Sequence, residues 1–401
     1  MRRVYLDHNA TTPVDPEVFE AMRPYFTAQY GNASSIHAWG QHARAAVEDA
    51  RESVAKLINA DPGEIVFTSG GTESDNAAIF GVAEAAAARL ANRTPHVVTT
   101  AIEHPAVLNA AQALERRGVA VTYVAPGPNG VVDAESVERA LTPETVLISV
   151  MHANNELGTL QPIGEIGRIA ASRGIVFHAD AVQSVGKVAT DVRAMGARLL
   201  SLSAHKINGP KGVGALYIRK GTPFRPLFYG GHHERDRRPG TENVTGIVGL
   251  GKAAELAARR WSEESARLGA LRDRLETGLL DRIPLAAVNG DPLRRLASTS
   301  NITFPCADGE ALVIAADLRG LACSTGAACS SGSLEPSHVL TAIGKPKSVA
   351  RSTVRFSLGR TTTREEIDYA LEVIPQVVER LRSLSPNFEA AGHQLSASPT
   401  F

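Results

Sequence analysis

The chain has 401 residues, 43% hydrophobic and 21% charged, ordinary values for a globular protein and more residues than one compact core holds. Lys+Arg and Asp+Glu each number 42, so the formal net charge is zero and offers no electrostatic footprint for nucleic acid or an anionic membrane. Three cysteines, Cys306, Cys323 and Cys329, are too few for a disulfide framework, and with no second pair they support no zinc site.

The opening run Met1-Arg2-Arg3-Val4-Tyr5-Leu6-Asp7 turns polar before a secretory core could form. No later stretch approaches the roughly 18 apolar residues of a membrane span. A cytoplasmic protein with no membrane contact and no direct nucleic-acid binding is expected. From residue 62 onward, short β-rich runs alternate with helical stretches. Residues 64–68 read as a buried strand, followed by Gly70-Gly71 and an Ala-rich helix to about Leu90. A strand at 96–100 precedes a helix opened by Pro105, a residue whose missing amide costs nothing in the first helical turn. Strands at 119–124, 146–150, 175–178, 199–203 and 213–218 continue the series, with helical segments between. Continuous apolar strands alternating with helices predict an α/β domain on a mainly parallel central sheet.

Beyond residue 260 the pattern changes to a charged helix at 261–282, a strand at 300–304, a strand at 353–358 and a helix at 363–384. The Ser-, Gly- and Ala-rich segment 321–335 between them should be a mobile loop. We read residues 16–260 as a large domain, 1–15 with 261–384 as a smaller α+β domain, and 385–401 as a C-terminal tail.

In a parallel sheet, ligands bind beyond the carboxyl ends of the strands. Five such ends turn polar: Ser69-Gly70-Gly71-Thr72, Glu103-His104, the run from His152 to Glu156, the run from Asp180 to Gln183, and Ser203-Ala204-His205-Lys206. One composite pocket is the reading. Lys206 offers a primary amine at a strand end, as a Schiff base with pyridoxal phosphate requires, and Asp180 upstream suits a protonated pyridine nitrogen. Ser69-Gly70-Gly71-Thr72, between a strand and a helix, offers free amides to a phosphate. Cys329 stands among Ala327, Ala328, Ser330 and Ser331, small residues that cannot bury a packed thiol, whereas Cys323 behind Gly320-Leu321 reads as a core residue. Cys306 beside Pro305 is expected to be structural. His232-His233-Glu234 is taken to line a subunit boundary rather than hold a metal.

Several runs together carry a resemblance. They are Tyr5-Leu6-Asp7-His8-Asn9-Ala10-Thr11-Thr12-Pro13, Thr68-Ser69-Gly70-Gly71-Thr72-Glu73-Ser74-Asp75-Asn76 and His152-Ala153-Asn154-Asn155-Glu156. Ser203-Ala204-His205-Lys206, Arg238-Pro239-Gly240-Thr241-Glu242-Asn243 and Ala328-Cys329-Ser330-Ser331-Gly332-Ser333-Leu334-Glu335-Pro336 complete the set. In this order they resemble the cysteine desulfurases of the class V aminotransferase group, of the nitrogen-fixation and general iron–sulfur type. The resemblance implies a pyridoxal-phosphate fold of type I and a homodimer. It also implies conversion of L-cysteine to L-alanine, with sulfur kept as a persulfide on Cys329 for an acceptor such as an iron–sulfur cluster scaffold.

The same resemblance implies residue roles. Lys206 would carry the cofactor and move the substrate α-proton, Asp180 would hold the pyridinium proton, and His104 would stack on the ring. Gln183 and Asn155 would bond around the ring hydroxyl and the substrate carboxylate. Gly71, Thr72, Ser203 and His205 would bind the phosphate, joined by Thr241 of a second subunit, and Arg355 would clamp the substrate carboxylate. Fold and Schiff base do not by themselves fix the reaction, so an ordinary aminotransferase or lyase remains the rival that Cys329 has to exclude.

Overall fold

The computed structural model describes residues 2–87, 93–326 and 336–385. Twelve strands are present among them: β1 (Val4–Tyr5), β2 (Ile65–Thr68), β3 (His96–Thr100), β4 (Ala120–Val124), β5 (Thr145–Met151), β6 (Val176–Asp180), β7 (Leu199–Ser203), β8 (Gly214–Ile218), β9 (Ala287–Asn289), β10 (Thr299–Thr303), β11 (Leu321–Ala322) and β12 (Thr353–Ser357). Seven form the main sheet, in the order β2-β8-β7-β6-β5-β3-β4. Within it β3 to β7 pair in parallel; β8 lies antiparallel to both β7 and β2, so β8 alone is reversed. The carboxyl ends of β2, β3, β5, β6 and β7 therefore share one edge, where all five polar clusters follow.

Both faces of the sheet are covered, which is why its strands read as unbroken apolar runs. Successive side chains point to opposite faces. Phe67, Val98, Ile148 and Leu200 join one buried cluster, while their neighbours Val66, Val97, Leu147 and Leu199 join the other. Helices Ala38–Leu57 and Ile163–Ser172 cover the first face, and helices Gly71–Ala87 and Pro105–Glu115 the second. A smaller antiparallel sheet, β12-β10-β9, packs with helix Arg364–Ser383 around a third cluster that also buries Val4 and Leu6.

The expected strands are all present to within one or two residues of their expected ends. The charged helix expected at 261–282 instead begins at Val244 and runs unbroken for 39 residues to Arg282, so the boundary drawn at residue 260 falls inside it. Its first half packs Ile247, Leu250 and Ala254 with the main sheet, and its second half packs Leu268, Leu275 and Leu279 with the small one. Residues Val339, Leu340, Ile343 and Ala350, assigned from sequence to the smaller domain, are buried with the main sheet. The segment expected to be a loop from 321 opens with β11, which pairs in parallel with β1. Its residues 327–335, Cys329 included, lie outside the described residues, as does the expected tail beyond Ser385.

Candidate active site

At the shared strand edge, the segment Leu6–Pro13 runs across the ends of β6 and β7, and Asn9 is its hub. The Asn9 carbonyl accepts hydrogen bonds from the Lys206 amine and from Gln183 Nε2, the latter at 2.9 Å. Asn9 Nδ2 donates to the Asn155 carbonyl at 3.1 Å and to Thr299 Oγ1 at 3.0 Å. Lys206 Nζ also donates to the Ala10 carbonyl at 2.9 Å. Arg355, on β12, donates from Nη1 to the Asn155 carbonyl at 2.9 Å and from Nη2 to Asp7 Oδ1 at 2.6 Å. Lys206, Gln183 and Asn155, from separate stretches of sequence, thus meet on Asn9, and Arg355 joins them through the Asn155 carbonyl.

The register of β6 sets the next group. Asp180 closes that strand, buried, with Oδ1 accepting from the Val182 amide at 2.9 Å. Burial pushes its pKa up to about 6, against the pull of the Val182 amide and the charge of Lys206. Two more buried carboxyls lie nearby. Burial pushes Glu103 up to about 8, opposed by hydrogen bonds from Thr100 at 2.7 Å and the Met151 amide at 2.9 Å. Burial, then the charge of Asp180, raises Asp75 as well. His178 Nε2 lies 3.7 Å from Asp75 Oδ1, and the ring is bonded at 2.9 Å to both Ser149 Oγ and Ser201 Oγ.

His104 caps helix Pro105–Glu115, its Nδ1 accepting from the Ala106 amide at 3.1 Å. Burial, and then the charge of Lys206, lowers its pKa to about 4, so the ring is neutral at physiological pH. His205 is lowered to about 4 by burial and by Lys206, and its Nδ1 lies 3.1 Å from Thr11 Oγ1. Gly71 opens helix Gly71–Ala87, where a Cβ would come within 2.7 Å of Val182 Cγ2, so a larger residue would push the helix start away from the end of β6. Ser203 is buried beside it: a Cβ built on Gly70 would lie 3.9 Å from Ser203 Oγ. Thr72 is exposed at the same helix start. Amides at a helix start beside a serine hydroxyl are groups that can bind an anion.

Thr241 is not in this group. It is exposed and lines, with Ser69, Gly212 and Arg238, a separate cavity of about 110 Å³. Cys329 lies outside the described residues, but the described residues flanking that stretch both meet Glu156. Ser337 Oγ donates to Glu156 Oε2 at 2.6 Å, and a Cβ on Gly326 would sit 3.1 Å from the same oxygen. Cys323 is buried among apolar residues as expected, its thiol pushed up to about 12 by burial. Cys306 occupies a left-handed turn position, φ 66°.

Two participants were not singled out from the sequence. Asn9 lies inside a quoted run, but its partners are 146 to 348 residues away, beyond any local signal. Lys187 is partly buried and donates to Gln183 Oε1 at 3.1 Å. Nothing in a lone lysine after Gly186 announces burial.

The chemistry of these groups fits pyridoxal phosphate. A primary amine, a buried carboxyl that a ring-nitrogen cation would relieve, and groups that can bind an anion lie along one edge of the sheet. Asn9 Oδ1 and Arg355 Nε, both buried, have no hydrogen-bond partner among the described residues, so the pocket retains polar capacity for a ligand.

Comparison with known proteins agrees. Residues 4–370 match the family model described as Aminotransferase class-V, and the chain belongs to that family. The chain is 52% identical over 387 residues to the cysteine desulfurase of Trichormus azollae, covering 96% of this chain and 95% of that one. It is 49% identical over 385 residues to the cysteine desulfurase IscS of Dictyoglomus turgidum, covering 96% and 97%. Among solved structures, a NifS-like protein superposes with a TM-score of 0.87 at 38% identity, over 94% of this chain and all of the other. SspA in complex with cysteine gives 0.79 at 40% identity, over 88% and 98%. Within the class V group, the chain is a member of the cysteine desulfurase family. Among the described residues, no helix is long and apolar enough to cross a membrane.

Proposed function

We propose that the chain removes sulfur from L-cysteine, releases L-alanine, and holds the sulfur as a persulfide on Cys329 for an acceptor protein such as an iron–sulfur cluster scaffold. The observation that carries this reading is the Lys206 amine held on the Asn9 and Ala10 carbonyls, its charge acting on the buried Asp180 carboxyl. Pyridoxal phosphate, when bound, supplies an electron sink for the substrate Cα.

This chain's residues do the rest. Lys206 would hold the cofactor and move the proton at the substrate Cα. Asp180 would pair with the ring nitrogen, and neutral His104 would lie against the ring. Gln183 and Asn155 would bond around the ring oxygen and the substrate carboxylate. Gly71, Thr72, Ser203 and His205 would hold the phosphate. The planar Arg355 fork takes the substrate carboxylate, a bidentate task unsuited to Lys. The Cys329 thiolate attacks the substrate sulfur, the S–Cβ bond breaks, and its electron pair stays with the three-carbon fragment, which takes up protons and leaves as alanine.

Thr241 reaches the phosphate of a second copy, so the active form is a homodimer. Exposed Phe26, Tyr30, Ile36, Trp39 and Tyr229 support a covered face. The cytoplasm, where thiols stay reduced, suits a reactive persulfide carrier.

The test supplies pyridoxal phosphate, L-cysteine and a reductant, and measures alanine and sulfide. Equal amounts are expected from the wild type and none from Lys206→Ala, in which borohydride should fix no cofactor to the peptide carrying position 206. Consumption of a 2-oxo acid as amino acceptor, or cofactor fixed by borohydride in Lys206→Ala, would overturn the reading.

A further inference from the structure

We propose that Lys187 is a positioning residue that locks the Gln183 side-chain amide as a hydrogen-bond donor toward the ring oxygen of bound pyridoxal phosphate; this rests on the cofactor reading above. Both ends of the Gln183 amide are committed. Lys187 Nζ, a group that can only donate when protonated, lies 3.1 Å from Gln183 Oε1, and Gln183 Nε2 donates to the Asn9 carbonyl at 2.9 Å. An amide has one accepting and one donating end, and these two partners agree on which is which. The second N–H of Gln183 is then left to face the ligand as a donor. The same Asn9 carbonyl also receives the Lys206 amine, so the Lys187–Gln183–Asn9–Lys206 chain ties the orientation of the amide to the lysine that carries the cofactor.

Lys187 is built for a fixed position rather than for solvent. It lines a cavity of about 50 Å³ shared with His8, Thr12, Lys206, Trp261, Glu264 and Arg360. Among the described residues no carboxylate forms an ion pair with it; Glu264, the carboxylate in that lining, is held by Arg360 at 2.6 Å. The charged and titratable groups that face it come from every neighbouring element: His8 from the opening segment, Lys206 and His205 after β7, Arg355 from β12, and Glu264 with Arg360 across the cavity. Burial, then Lys206 and Arg355, lowers Lys187 to about 7, and its charge in turn depresses His8 to about 4 behind the larger effect of burial. Remove Lys187, and the carbonyl end of Gln183 loses its donor. Only the Asn9 carbonyl then holds the amide, so the turned form, with an acceptor toward the ring oxygen, is less disfavoured.

The consequence is spectroscopic. The visible band of a lysine-linked cofactor changes as the linking nitrogen loses the proton it shares with the ring oxygen. A donor on that oxygen favours the deprotonated form. Lys187→Met should therefore raise the midpoint of the absorbance titration by about one pH unit, a tenfold change in proton affinity. Lys187→Arg, which keeps a charged donor, should leave it near the wild-type value. A direct effect of the Lys187 charge would act in the same direction, so the titration is repeated in a Gln183→Leu background. With no amide to orient, Lys187→Met should add no further shift there.

An unmoved midpoint in Lys187→Met, or a shift of equal size without Gln183, overturns the proposal. If Lys187→Met does not hold its fold by circular dichroism, Lys187→Ala decides on the same titration. Failure of the underlying cofactor reading looks different: the wild type would then show no visible band that Lys206→Ala removes.

Discussion

The buried pair of Arg51 and Glu234 makes a quantitative prediction. Arg51 lies in helix Ala38–Leu57 and Glu234 on the loop before Thr241; their side chains are 2% and 3% exposed. Arg51 Nη1 and Nη2 each donate to a Glu234 oxygen at 2.8 Å, and Nη1 also donates to the Ile65 carbonyl at 2.8 Å. The Phe67 amide donates to Glu234 Oε2 at 3.0 Å, and the guanidinium lies 4.7 Å from the Phe67 ring centroid. Glu234, Arg235 and Asp236 all have left-handed backbone angles, φ 47°, 57° and 63°, so the loop is held in a conformation the chain does not prefer.

Arg51→Met leaves the Glu234 carboxylate buried with a single amide donor. Breaking a buried pair this way costs about 3–5 kcal/mol, against about 0–1 for an exposed pair. Arg51→Met with Glu234→Gln removes the stranded charge but keeps an acceptor for Phe67, and should recover to within about 1–2 kcal/mol of wild type. Urea unfolding at fixed protein and cofactor concentration reads this as a midpoint shift at constant slope. A loss below about 1 kcal/mol in Arg51→Met, or a double variant no better than the single one, would refute the reasoning.

Three further outcomes are expected. Cys329→Ala should keep its cofactor band and lose nearly all alanine and sulfide, while wild type incubated with cysteine gains one sulfur on the Cys329 peptide, reversible by strong reductant; mass spectrometry placing that sulfur on Cys323, whose thiol is held near 12, would sink the assignment. Arg355→Lys should raise KM for cysteine by roughly ten- to a hundredfold, because the second of two parallel hydrogen bonds is lost, with cofactor content unchanged. Glu103 is raised to about 8, so its contribution to stability is present below the unfolded carboxyl value and is lost as pH rises through about 8. Glu103→Gln should flatten that decline between pH 5 and 8 in urea midpoints, and an unchanged slope would count against a protonated Glu103.

The main sheet was legible because both its faces are buried, so β3, β5 and β7 read as continuous apolar runs whatever their partners. The reversed direction of β8 was not, since an apolar run carries no orientation. The first half of helix Val244–Arg282 lacks the charge that marks its second half and carries Gly246, Gly249 and Gly251, residues of poor helix propensity. In the fold two of them allow close approach: a Cβ at Gly249 would meet Met22 Sδ at 2.6 Å, and one at Gly251 the Ala50 Cα at 2.6 Å. Lys206 and Asp180 could be singled out because one follows a strand, the other ends one, and each carries a distinctive group. Asn9 and Lys187 could not, because their roles come from burial and from partners that other segments bring to them.

The Asn9 hub is also completed late in synthesis. The Asn9 amide donates to Ser357 Oγ at 2.9 Å, and the Ser357 amide to the Leu6 carbonyl at 2.8 Å, partners made 348 residues or more after the segment they hold. At about 5–20 residues per second, a ribosome delivers them roughly 17–70 seconds later. Until then the strand edge of the main sheet can form and Asn155, Gln183 and Thr299 can reach Asn9, but the segment lacks the bonds that Ser357 supplies. The opening segment thus reaches its full set of bonds only when almost the whole chain has been translated, although it is itself among the first parts to leave the ribosome.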